Sequence, residues 1–212
     1  MDIAHYLHDA PVASVIFIIT LITSLIAFSN DWVYENFILQ PYYVYQGKKL
    51  HTLITSGFIH LDLMHLFFNM FTFYFFAFPI EAALGHWQFG LLYGLSMVLG
   101  DLPSVAKHKD NYGYRTLGAS GAISAVVFSF ILFDPFAGMG LMFLPINIPA
   151  VIFGILYLVY CSYASKKQWG NINHDAHLFG ALAGIAITAI LQPHVLGEFV
   201  HQISEKLQSI GH

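Results

Sequence analysis

Residues 63–79 read Leu63-Met64-His65-Leu66-Phe67-Phe68-Asn69-Met70-Phe71-Thr72-Phe73-Tyr74-Phe75-Phe76-Ala77-Phe78-Pro79, a run with seven phenylalanines and no Asp, Glu, Lys or Arg. A helix that crosses the apolar core of a bilayer needs roughly 20 mostly apolar residues. This run, closed by Glu81, has the composition of such a helix. Within it His65 and Asn69 stand four residues apart and share one helical face with Thr72. Polar groups are costly at membrane depth, so such a face is a candidate functional surface. Read alone, it fits a stripe of helix-to-helix hydrogen bonds equally well.

The rest of the chain agrees with a membrane reading. Of 212 residues, 57% are hydrophobic, 17% aromatic and only 9% charged, and mean hydropathy is +0.65. A soluble globule carries about 25% charged residues. Six apolar runs bounded by charge, Pro or Gly emerge, at residues 11–28, 63–79, 87–105, 117–133, 149–164 and 176–192. Gly100, Asp101 and Pro103 predict that the third is short or broken near its end, and Pro135, Pro145 and Pro149 predict a partly non-helical fourth connection. The connection over residues 29–59 carries Trp32, Tyr34, Tyr42, Tyr43, Tyr45, Lys48 and Lys49, a composition suited to the headgroup layer. The expected fold is all-α: a polytopic, multi-pass membrane domain over residues 1–212, with six transmembrane helices and a membrane-interfacial first loop.

Other classes are disfavoured. The eight basic residues are scattered and net charge is −4, so nucleic acid is not a partner. Cys161 is the single cysteine, which rules out an internal disulfide; in its apolar stretch it reads as a small hydrophobe. Asp2, His5, His8 and Asp9 stand where a signal peptide would be basic, and no small-residue cleavage site follows Phe28. The first apolar run is therefore expected to remain as an anchor. No internal repeat supports an inverted-repeat transporter.

Two further helix starts carry chemistry. The fourth run holds Gly118-Ala119-Ser120-Gly121-Ala122. Small residues admit a close neighbour, and a serine at a helix amino end sits beside unpaired N–H groups that would stabilise an oxyanion. As an isolated tetrapeptide, G-x-S-G is more often a packing motif. The sixth run opens with Ala176-His177, and Gly180 and Gly184 follow on the face of the histidine. If that face packs on Gly118, Gly121 and Ala122, His177 comes within reach of Ser120 as its base. Asp175 lies two residues from His177 and points elsewhere on a helix, so it is expected to cap the helix together with His174. That leaves a dyad without a carboxylate.

Taken together, these stretches resemble the rhomboid family of intramembrane proteases. The resemblance is carried by His60, His65 and Asn69 at spacings of five and four, by Gly118-Ala119-Ser120-Gly121, and by Ala176-His177 with Gly180 and Gly184. Glu81, Gly85 and residues 89–93 also look like the family's turn between second and third helices. The resemblance implies cleavage of the transmembrane segment of another membrane protein, without a cofactor or metal, inside a water-filled cavity. Ser120 would be the nucleophile and His177 the general base and acid. His65 and Asn69, with the Ser120 N–H, would form the oxyanion site, and His60 would line or hydrate the cavity. The fifth helix, capped by residues 165–173, would be the mobile side through which substrate arrives.

Three departures from the family pattern stand out. His51 and Thr52 occupy the place of a frequent Trp-Arg pair. Ser124 stands where a tyrosine often lies under the catalytic ring, so either another group supports His177 or its ring is held more loosely. Seven of the eight basic residues (Lys48, Lys49, Lys107, Lys109, Arg115, Lys166 and Lys167) fall on loops that the family places outside, contrary to the positive-inside tendency. The rival readings are a catalytically silent rhomboid-like protein that binds membrane helices, a zinc enzyme using some of His51, His60, His65, His174 and His177, and a transporter using Asp101, Asp134 and Asp175. The zinc reading lacks an H-E-x-x-H motif.

Overall fold

The computed structural model describes residues 8–140, 147–167, 169–170 and 172–210. Asp2, His5 and Pro145 of the sequence reading, and residues 168 and 171 of the expected cap, lie outside them. The first apolar run forms α1, Pro11–Ala27. The connection after it folds into three short helices, α2 (Asp31–Phe37), α3 (Pro41–Tyr45) and α4 (Thr52–Thr55), and a 3-10 turn, Ser56–Phe58. The remaining runs form α5 (Leu63–Leu84), α6 (His86–Lys107), α7 (Ser120–Phe133), α8 (Ala150–Lys167) and α9 (His174–Leu191), and a further helix, α10, spans Val195–Ile210. Three helices, α5, α6 and α9, are long and apolar enough to cross a membrane, and α1 and α7 are shorter apolar helices.

Two expected helix ends are corrected. α5 does not stop at Pro79 but runs to Leu84, where Gly85 adopts φ +96° and turns the chain. α6 is unbroken through Gly100 and Pro103. An interior proline costs a helix a backbone hydrogen bond, yet in both cases the following turn is fastened to another element. Glu81, wholly buried, accepts the N–H groups of Val12 (3.0 Å) and Ala13 (2.5 Å) and meets His86 Nδ1 at 2.7 Å. It thereby caps α1, whose own N-cap residue, Ala10, offers no side-chain acceptor. Beyond Pro103, the Ser104 hydroxyl donates to Asn173 Oδ1 at 2.7 Å.

In the connection between α7 and α8 the described residues include a short antiparallel pair, Gly138–Gly140 (β1) with Asn147–Pro149 (β2), in keeping with the partly non-helical connection expected there. α10 was not among the expected elements. Its signal was present in Leu196, Val200, Ile203 and Leu207, spaced four, three and four apart. The Gln202 amide ties it to the Phe133 carbonyl at the end of α7 (3.2 Å).

α7 is the centre of the bundle, with eleven of its fourteen residues buried. It packs on α5, α6 and α9, and its Val126 joins Phe73, Phe89 and Tyr93 in the main core. The glycines set how close these helices come. A Cβ on Gly180 would collide with the Gly121 carbonyl, and one on Gly184 with the Ala125 backbone. On the outer faces Phe67, Phe71 and Phe75 of α5 and Ile152, Leu156 and Val159 of α8 are exposed, a surface that water would penalise and lipid would not.

The first loop pins the chain ahead of α7. Leu39 and Thr116 exchange both backbone hydrogen bonds at 3.0 Å, and the Gly118 N–H donates to the Ser56 carbonyl at 2.9 Å. His51 anchors this loop through Nε2, which meets the Asn36 carbonyl at 2.9 Å.

Candidate active site

Ser120 is the first residue of α7, and among the described residues no side chain caps that helix start. The N–H groups of a first helical turn have no intrahelical acceptors, so the Ser120 hydroxyl stands beside unpaired donors at the positive end of the dipole. His177 lies in the first turn of α9, whose N-cap is Asn173: its side chain accepts the Ala176 N–H at 3.0 Å. This corrects the expectation that Asp175 and His174 form the cap. Asp175 is instead held by Lys107 Nζ at 2.7 Å and by the Ser165 hydroxyl, so it does not orient His177.

The close approach of α7 and α9 brings His177 Nε2 to 2.7 Å from Ser120 Oγ. Glycine packing accomplishes this through Gly121, Gly180 and Gly184, but not through Gly118, which the sequence reading had included. Gly118 has φ +112°, and a Cβ there would lie 2.6 Å from Cε1 of His65. Gly118 is therefore required twice, for its backbone conformation and for the room it leaves the His65 ring.

Ser120 and His177 open on a cavity of about 1060 Å³, lined also by His65, Asn69, Tyr157 and His174. His65 is placed by Asp62, which caps α5 by accepting the His65 N–H at 2.7 Å. Asn69 donates one amide N–H to the His65 carbonyl at 2.9 Å, which leaves its second N–H for the cavity.

His60 does not line the cavity, contrary to the sequence reading. It is wholly buried behind His65, ring edge to ring face at 4.9 Å. Its tautomer follows from its partners. The Ser24 hydroxyl spends its proton on the Phe58 carbonyl (3.0 Å), so it accepts from His60 Nδ1–H at 2.9 Å. Nε2 faces the Ala119 N–H at 3.5 Å. Burial, and then the neighbouring His65, lower its pKa to about 3. A neutral His60 thus links α1 to the residue that precedes Ser120.

One residue that sequence reasoning missed is Tyr157 of α8. Its ring lies nearly parallel to that of His177, 12° between planes with centroids 6.3 Å apart. The Ser124 hydroxyl donates to the Ser120 carbonyl at 2.8 Å, so the Tyr157 O–H donates to Ser124 Oγ at 2.7 Å. Ser124, where the family often has a tyrosine, here holds a tyrosine that another helix supplies. Only its place in an apolar run could have signalled it, and every tyrosine of that run shares this property.

A family model for the Rhomboid domain matches residues 47–194, a segment that contains every residue named in this cavity. The chain belongs to the rhomboid family. With three helices long and apolar enough to span a bilayer, this rhomboid is an integral membrane protein. It is similar to the mitochondrial RHOMBOID-like protein 12 of Arabidopsis thaliana, 32% identical over 176 residues, which cover 75% of this chain and 52% of that protein. It is similar too to the mitochondrial presenilin-associated rhomboid-like protein A of Danio rerio, 31% identical over 135 residues (63% of this chain, 35% of that protein). Rhomboid protein 1, mitochondrial, of Saccharomyces cerevisiae is 28% identical over 155 residues, 69% of this chain and 44% of that protein. The rhomboid thus spans about half or less of the length of these relatives.

Of the zinc reading's histidines, this rhomboid's geometry brings together His174 and His177. Among the described residues, the one group of three His, Cys, Asp or Glu side chains close enough to share an ion is Cys161, His174 and His177. His51, His60 and His65 are not in it, nor are Asp101, Asp134 and Asp175.

Proposed function

We propose that this rhomboid is an intramembrane serine endopeptidase that cleaves transmembrane segments of other membrane proteins, with Ser120 as nucleophile and His177 as general base. The observation that carries this is the 2.7 Å contact between His177 Nε2 and Ser120 Oγ on the wall of a cavity large enough for a peptide. Nε2 takes the hydroxyl proton as Oγ bonds to the scissile carbonyl carbon; the carbonyl oxygen becomes an oxyanion. The start of α7, His65 and Asn69 line the same cavity and supply the donors for that charge in this reading. Collapse of the intermediate breaks the C–N bond, the imidazolium delivers its proton to the leaving amine, and water later releases the acyl group from Oγ by the same proton route.

The length of α7 supports chemistry below the membrane surface. Fourteen residues at 1.5 Å each make a helix of about 21 Å, against a hydrocarbon thickness of about 30 Å. A helix this short, flanked by longer ones, leaves its first residue recessed and reachable through the cavity. In this reading the six apolar helices all cross, the first loop lies in the headgroup layer, and residues 1–212 act as one membrane domain.

A fluorophosphonate probe, which esterifies an activated serine, tests the assignment in detergent. Wild-type protein is expected to label, Ser120→Ala not at all, and His177→Ala roughly 10²- to 10⁴-fold more slowly, the usual worth of a general base. Equal labelling of Ser120→Ala overturns the proposal. A wild type that binds transmembrane peptides yet neither labels nor cleaves them is instead a silent helix-binding member.

A further inference from the structure

Behind the candidate dyad, α8 and α9 place three metal-ligating side chains together. Cys161 on α8 and His174 and His177 on α9 present ligand atoms that all lie within 4.8 Å of one another. The open nitrogen of each histidine is identified by elimination. His174 Nε2 is used by the Trp169 carbonyl at 3.0 Å, whereas its Nδ1 is buried without a hydrogen-bond partner among the described residues, in a side chain only 4% exposed. His177 Nε2 is used by Ser120, which leaves Nδ1 on the opposite side of the ring. Cys161 is wholly buried and unpaired with any other thiol, and its sulfur shares a side-chain hydrogen bond with Tyr157. A buried imidazole nitrogen without a partner is a rare expense in a folded protein, and here it belongs to a side chain grouped with two other candidate ligands. We propose that these three groups form a regulatory binding site for Zn²⁺, and that its occupancy switches the protease off.

The donor set suits that ion. One thiolate and two imidazoles are ligands for a borderline-soft cation, and Zn²⁺ takes Cys and His at about 2.0–2.3 Å in a tetrahedron. Ligand atoms in such a tetrahedron lie about 3.3–3.8 Å apart, so binding draws the trio inward by about an ångström. The fourth position is left to a water from the cavity, which His174 and His177 both line. Coordination releases the Cys161 thiol proton to solvent. At His177 the metal takes the Nδ1 lone pair, so the one proton of the neutral ring sits on Nε2. That nitrogen then donates to Ser120 Oγ and has no lone pair with which to accept the hydroxyl proton. Binding rests only on the trio, and the inhibition rests in addition on the role proposed for His177.

The test uses the full chain in detergent, freed of metal by a chelator, with Co²⁺ as a coloured substitute for Zn²⁺. Wild type and Ser120→Ala are both expected to give visible ligand-field bands with a near-ultraviolet thiolate-to-cobalt band, which Zn²⁺ abolishes by displacement. Cys161→Ser is expected to lose the thiolate band, and His174→Gln to bind Co²⁺ at least about tenfold more weakly. Zn²⁺ is expected to suppress fluorophosphonate labelling of wild type, and a chelator to restore it. Labelling of Cys161→Ser, whatever its level without metal, should not fall when Zn²⁺ is added. Absence of the thiolate band in wild type, or its persistence in Cys161→Ser, overturns the metal site. Because Ser120→Ala must still bind Co²⁺, failure of the dyad assignment leaves the spectra unchanged and is told apart from failure of this site.

Discussion

Tyr157 shows how a single side chain can stand in for one that is missing at its usual place. A ring beside His177 limits the tilt of the imidazole, and the hydroxyl bond to Ser124 limits the tilt of the tyrosine. Replacement by Phe keeps the ring and forfeits one hydrogen bond, a loss of about 1 kcal/mol. Tyr157→Phe should therefore slow serine labelling by no more than about tenfold. Tyr157→Ala, which removes the ring, should slow it by a further factor of about ten or more while KM for a transmembrane reporter stays within about twofold, because misalignment acts on the reaction and not on uniform binding. Equal effects of the two substitutions would show that the ring is not what orients His177.

His60 carries the pH dependence that belongs to this scale. Its folded pKa, about 3, lies below the unfolded value of 6.5. Protonation therefore favours the unfolded chain: the contribution is complete above pH 6.5 and is lost as pH falls toward 3, by up to about 1.4 kcal/mol per pH unit. Thermal unfolding in detergent between pH 7 and pH 4 should show this loss, and His60→Gln should flatten the slope while lowering stability at pH 7.

At the scale of elements, the α7–α9 contact decides whether there is a site. Gly180→Ala places a methyl group against the Gly121 carbonyl, where backbone cannot yield cheaply. The helices must separate, with a cost of about 1–3 kcal/mol for an overpacked contact, and His177 moves away from Ser120. Labelling should drop by at least about tenfold together with Tm. Gly94 of α6 is the control, because a Cβ there meets nothing within 4 Å. Gly94→Ala should raise stability by about 0.5–1 kcal/mol through helix propensity and leave labelling intact.

For the whole molecule, Glu81 is the fastening that makes α1 part of the bundle. It reaches from the end of α5 to the N–H groups of Val12 and Ala13 and to His86 at the start of α6. Glu81→Ala should cost about 1 kcal/mol or more for each lost bond and should expose the first loop to limited proteolysis. Since α1 also holds His60 through Ser24, labelling should weaken although Glu81 is remote from Ser120 in the chain. Unchanged proteolysis and labelling would show that α1 is held by apolar packing alone.

Much of this was readable from the sequence by itself. Apolar runs determine helices in a chain with so few charges, because lipid tolerates only backbones that satisfy their own hydrogen bonds. Helix starts determine where Ser120 meets unpaired N–H groups, and that glycine spacing on α9 allows a close neighbour. Tertiary structure alone decided the rest. That Lys107 holds Asp175 away from His177, that α5 and α6 run through their prolines, that His60 stands behind His65, and that Tyr157 and Cys161 face the dyad all depend on partners distant in the chain. Spacing fixes which residues share a face of one helix, whereas the rotation and closeness of two helices come from the sum of many small contacts between them, and no local stretch contains that sum.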